Sequence, residues 1–166
     1  SVEISASVED ITFQPQTKDG LQTAVDLWES DNSTAVATYG DINTWDVSLI
    51  TDMEYLFAED TTFNDNISNW DVSSVTSMRS MFYGAYSFNQ DIFAWDVSNV
   101  TNMQSMFFNA ENFNGDISTW NVSSVNNMGG MFSGTSNFNC DLYLWDVSNV
   151  TNMQSMFFNA ENFNGD

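Results

Sequence analysis

Aspartate is the residue whose type and spacing in this sequence suggest chemistry first. Asp46, Asp71, Asp96 and Asp146 each follow a tryptophan, and Asp41, Asp91, Asp116 and Asp141 each stand four residues before one. Carboxylates held ~5 Å apart in water repel one another by about 1 kcal/mol. A calcium ion, which takes several oxygen ligands, would relieve that repulsion. Asp46, Asp71, Asp96 and Asp146 are therefore the calcium candidates, and calcium is the one cofactor the sequence suggests. The competing expectation is that each aspartate closes a turn on nearby backbone N–H groups and stays solvated. The sequence favours it, because it holds no D-x-D-x-D loop and no G-G-x-G-x-D nonapeptide.

Three other side-chain types carry weaker signals. Sequons mark Asn99, Asn149, Asn32, Asn66 and Asn121 as candidates for N-glycans. Asn99 and Asn149 share a position held elsewhere by Leu49, Ser74 and Ser124, a tolerance expected of an exposed site. Thr51, Thr76, Thr101 and Thr151 form a hydroxyl column of the kind an ice-binding face needs, but Asn126 interrupts it, so flanking hydroxyls are the expectation. Cys140 occurs once among five equivalent positions, which speaks against a nucleophile and excludes an internal disulfide. The chain has no His, so neither a Ser-His nor a Cys-His pair can form, and no carboxylate pair stands apart from the ladder. An enzyme is not expected.

Charge narrows the partners. In 166 residues there are 23 Asp+Glu against 2 Lys+Arg, a formal net charge of −21. Neutralising phosphates takes Lys and Arg, and only Lys18 and Arg79 are present, so nucleic acid and anionic lipid are poor partners. No run approaches the ~20 apolar residues of a membrane-spanning helix. A hydrophobic content of 42%, with 14 Phe, 6 Trp and 9 Met, is too rich for a disordered acidic tail.

The elements that must position these side chains are set by a repeat. Trp45, Trp70, Trp95, Trp120 and Trp145 stand 25 residues apart, each opening the phrase W-[DN]-V-S-x-[VI]-[TN]-x-M. Columns of Val (Val47 to Val147), Met (Met53 to Met153) and two of Phe (Phe57 to Phe157, Phe63 to Phe163) keep the same register. A unit this short cannot bury its own apolar side, and stacking on identical neighbours gives a continuous core. The spacing predicts a right-handed parallel β coil of leucine-rich-repeat type, about five turns of 25 residues, with a short strand near each M-x-x-M-F. Asn64, Asn89, Asn114, Asn139 and Asn164 are expected to form a structural amide ladder between turns. Ser48, Ser73, Ser98, Ser123 and Ser148 are expected to close local turns. The adjacent phenylalanine at offset 12 is expected to turn inward at a corner, leaving Tyr83, Phe108 and Phe158 at offset 13 for outside contact.

The ends differ from the middle. Residues 1–15 alternate weakly and read as an extended segment. Residues 16–39 read as a helical cap, with Thr17 as N-cap and Leu21, Ala24, Val25 and Trp28 at helical spacing. The repeat region runs over 40–166, and Gly165-Asp166 open a sixth unit. An uncapped edge there would be a template for association. Residues 145–166 reproduce 95–116 letter for letter, which suggests recent duplication. The expectation is a piece of something longer, or a protomer that another copy completes.

The phrase W-D-V-S-S-V-T-S-M-R-S-M-F-Y-G-A-Y-S-F-N-Q-D-I (70–92) resembles the repeat of BspA-like surface proteins. The resemblance covers all five units, with mild departures at Asn121, Asn126, Leu56 and Cys140. It implies a secreted or cell-surface protein used in adhesion or extracellular structure, and no catalytic residues. The combined expectation is a non-catalytic structural repeat protein associating head to tail through protein contacts. The alternative is a monomeric adhesin arm that binds a partner protein by its lateral face. Calcium, glycan or ice binding ranks behind both.

Overall fold

The computed structural model describes residues 12–165. The extended segment expected over 1–15 therefore falls largely outside the described residues. Helix α1 (Lys18–Ser30) begins where the Thr17 hydroxyl accepts from the Gly20 N–H at 3.1 Å, and buries Leu21, Ala24, Val25 and Trp28. Asp31 joins two helices. Its N–H closes α1 on the Leu27 carbonyl, and its carboxylate accepts from Thr34 N to start α2 (Asn32–Tyr39). Gly40, at φ 77°, ends α2 in the left-handed region that glycine tolerates.

Beyond a short 3₁₀ turn at Ile42–Thr44, the 25-residue units stack one on the next. The described residues contain no β-strand and no sheet, only isolated parallel bridges along Asp52, Ser77, Asn102, Asn127 and Asn152. This overturns the expected leucine-rich-repeat-type β coil. The reason is backbone handedness. Tyr55, Ser80, Ser105, Gly130 and Ser155 all have positive φ, and four residues later so do Glu59, Gly84, Asn109, Gly134 and Asn159. An extended segment cannot pass through the left-handed region at those intervals.

What replaces the strand is an alternation. Met103, Ser105, Phe107 and Asn109 donate their N–H groups to carbonyls of the next turn, at Asn127, Gly129, Met131 and Ser133. The residues between them, Met106 and Phe108, donate back three positions within their own turn. Every second amide thus ties neighbouring turns together, and the others tighten the turn itself. Buried backbone is satisfied without a sheet.

The interior is one apolar cluster running from Leu21 through to Met156. Phe82, Phe107 and Phe132 lie fully buried with centroids 5.5 and 5.8 Å apart, and Phe88, Phe113 and Phe138 form a second column at 6.0 Å. The two columns touch at 3.9–4.0 Å within each turn. Each tryptophan reaches backwards: Trp95, Trp120 and Trp145 donate Nε1–H to the Ile67, Ile92 and Ile117 carbonyls at 3.2, 3.2 and 3.0 Å. Large rings fill the core while their one polar atom finds a partner.

Candidate functional site

The repeated polar side chains are the place to look for chemistry, and the fold engages nearly all of them locally. Asp46, Asp71, Asp96 and Asp146 each accept the N–H of the serine two residues on, at 3.0 Å. Hydrogen bonding from the serine side chain first, and from its N–H second, holds the carboxyls of Asp46, Asp96 and Asp146 below the ordinary aspartate range. Asp116 is lowered in the same way by Ser118. The four calcium candidates thus sit as separate turn-closing groups, one per unit. Among the described residues no three carboxylates or thiols gather in a way that would hold a metal ion.

The asparagine column is a ladder of acceptors. Asn64, Asn89, Asn114 and Asn139 each take the N–H of the asparagine one turn later, Asn164 being the last donor, at 2.7–2.9 Å. These residues are exposed rather than interior, and the backbone donor rather than a buried pocket selects the amide oxygen. The threonine column is also engaged: the hydroxyls of Thr76, Thr101 and Thr151 donate to the carbonyls of Thr51, Thr76 and Asn126 at 3.1–3.2 Å.

All five sequon asparagines are exposed. Asn99 and Asn149 donate Nδ2–H to the Ser73 and Ser123 carbonyls at 2.8 Å. Asn66 and Asn121 accept serine N–H groups instead. A glycosylated amide keeps one N–H, so the bonds at Asn99 and Asn149 survive attachment. Cys140 is half-buried, and burial is the main cause pushing its thiol up, the opposite of what a nucleophile needs.

One contact had no signal in the sequence. Glu29, at the end of α1, meets Asp60 of the first turn, 31 positions away. Burial first, then Asp60, pushes the Glu29 carboxyl up to about 8. Asp60 Oδ1 accepts from Thr62 and Phe63 N–H groups, while its Oδ2 is covered and has no protein donor among the described residues other than a protonated Glu29. Nearby Trp28 Nε1 donates to Asp65 at 2.8 Å, and Lys18 pairs with Asp52 at 3.0 Å. Gln22 Nε2 donates to the Leu56 carbonyl at 3.1 Å. Helix α1 thus closes the carbonyl edge of the first turn.

Among the described residues this arrangement pairs no nucleophile with a base. No described helix is long and apolar enough to cross a membrane. No curated protein and no solved structure matches the chain. A family model described as "Mycoplasma protein of unknown function, DUF285" matches it twice, over residues 27–121 and 90–166. The two overlapping matches take in the end of α1 from Leu27, all of α2 and every turn, and on that coverage the chain belongs to the DUF285 repeat family.

Proposed function

We propose that the chain is a non-catalytic structural repeat module of the extracellular or cell-surface space, working through protein contacts made end to end. The observation that carries the reading is the face of the fifth turn. Val147 is 38% and Met153 42% exposed, where Val97 and Met103, in the same sequence two turns earlier, are 1% and 0%. Trp145, Met153, Met156, Phe157 and Phe163 line an apolar hollow of about 340 Å³ there. The N–H groups of Met153, Ser155, Phe157 and Asn159 have no backbone acceptor among the described residues, although their counterparts in every earlier turn do. This is the surface that joins one turn to the next throughout the stack, and a further turn of the same phrase, of this chain or of another copy, fits it.

The two ends are chemically unlike. Gln22 and Lys18 of α1 engage the first turn, whereas the described fifth turn presents N–H groups and apolar side chains. End-to-end association would set a turn of a second copy against that N–H edge. Sedimentation velocity across a concentration series tests this. The reading predicts association that is abolished by Met153→Asp and left intact by Ser124→Ala. A species that stays monomeric throughout contradicts it.

A second reading, contact through the lateral face, has its own support. Tyr83 and Phe108 stack 4.8 Å apart, half-buried, and the exposed Tyr55 ring carries Arg79 5.4 Å from its centroid. Placement outside the cell draws on the exposed sequons at Asn99 and Asn149 and on the likeness to BspA-like surface proteins. Mass spectrometry of glycopeptides from native material tests it, and unmodified peptides at both positions remove that support.

A further inference from the structure

Between the Asn ladder and the tryptophan-side turns runs a groove that the fold does not need. Asn89, Asp91, Phe93, Asn114 and Asp116 line a hollow of about 530 Å³ in it, and Asn114 and Asp116 also border the next, of about 310 Å³, towards Asp141. Gly115 also lines the larger hollow, packed so closely on the core that a Cβ there would meet the Phe113 ring at 2.9 Å. Phe93 is 46% exposed and Tyr143 70%. Both occupy a position held by Ser68 and Ser118 in the alternate turns. The turn asks only for the backbone N–H there, which Ser68, Phe93 and Ser118 all donate to the carboxylate or amide two residues back. The aromatic rings have no aromatic partner of their own among the described residues and cost hydration of apolar surface.

The polar groups of the groove point the same way. In Asn89 and Asn114, Oδ1 is held by the next turn's N–H, and Nδ2 has no acceptor among the described residues. In Asp91 and Asp116, Oδ1 closes the turn and Oδ2 remains to accept. Donors and acceptors thus line the hollow that Phe93 borders, and Tyr143 holds the same register position two turns on, beyond Asp141. A cationic ligand would use the carboxylates and leave the amide donors idle, and an anionic one would meet a chain of charge −21. A hydroxyl group donates and accepts at one atom, and the C–H face of a sugar ring packs on an aromatic face. We propose that this groove binds a neutral oligosaccharide, with Phe93 and Tyr143 as stacking platforms two turns apart.

The proposal goes beyond end-to-end association: Phe93 lies away from the fifth-turn hollow, which Tyr143 also borders, so Phe93→Ser alone separates glycan binding from association. The test is an array of neutral, uronic and sulfated oligosaccharides, with spermine and an oligolysine peptide as cationic probes, read for the full chain and for Phe93→Ser/Tyr143→Ser. Serine is the residue the repeat itself places there, so the variant keeps the fold, which an unchanged unfolding midpoint verifies. The expected result is binding confined to neutral glycans, insensitive to salt, and weakened about tenfold for each ring removed. Three results overturn the proposal: no neutral glycan bound, binding unchanged in the double variant, or salt-sensitive binding of the cationic probes instead.

Discussion

Phe107→Ala probes the stacked core at its centre, and the sequence supplies its own control. The Phe107 ring is fully buried, lying between Phe82 at 5.5 Å and Phe132 at 5.8 Å, with Phe113 at 4.0 Å in the same turn. Removing a buried phenylalanine costs about 3–5 kcal/mol, the upper part of the range applying where neighbours cannot close in. Here each neighbouring ring is pinned to its own turn by ladder bonds, so the expected loss is about 4–5 kcal/mol. Phe157 lies in an identical 22-residue stretch, yet it is half-buried and stacks on Phe132 from one side only. Phe157→Ala should therefore cost about half as much, ~2 kcal/mol. Urea unfolding followed by tryptophan fluorescence reads both as shifts in midpoint. Equal losses at the two positions, or a loss under about 1 kcal/mol at Phe107, would refute the stacking argument.

Further expectations concern the polar framework. Asn114→Ala leaves the Asn139 N–H, held at 2.8 Å, without its acceptor and should cost about 1 kcal/mol by the same unfolding assay. Glu59 sits at φ 63° where Gly84 and Gly134 occupy the equivalent positions, so Glu59→Gly should stabilise by about 1 kcal/mol; a destabilised variant would count against the handedness argument. Glu29 is an acid raised from 4.5 to about 8 in the folded chain, which binds a proton that the unfolded chain has already released. Its stabilising effect is complete below 4.5 and lost as pH rises to about 8, so thermal stability should fall across that window and Glu29→Gln should flatten the profile. The lowered carboxyls of Asp46, Asp96, Asp116 and Asp146 act oppositely, with stability falling as pH drops below 3.8 in the same melts.

Much of the architecture is legible in residue spacing, because a repeat writes the same physical demand many times. The Trp, Val, Met and Phe columns name the buried positions, and the apolar spacing after Thr17 marks α1. The β coil was misread because an M-x-x-M-F run resembles a strand when only its apolar residues are considered. The contrary signal lay in the polar ones. Ser80, Ser105 and Gly130, then Gly84, Asn109 and Gly134, are small or amide residues at the two positions that turn left-handed. Tyr55 and Glu59, in the first turn, obscure that pattern. The Glu29–Asp60 contact joins a non-repeated helix to a turn, so no periodicity reveals it. The groove at Phe93 was hidden for another reason: it depends on where two unlike side chains interrupt a serine column.

Amide hydrogen exchange at two protein concentrations tests most directly the proposal that the ladder joining turn to turn also joins one copy of this chain to the next. At low concentration the account predicts slow exchange at Met103, Ser105, Phe107 and Asn109, and fast exchange at Met153, Ser155, Phe157 and Asn159 of the same local sequence. At high concentration the second set should become protected while the first is unchanged. Uniform protection of both sets when dilute, or fast exchange at the fifth turn whatever the concentration, would contradict it.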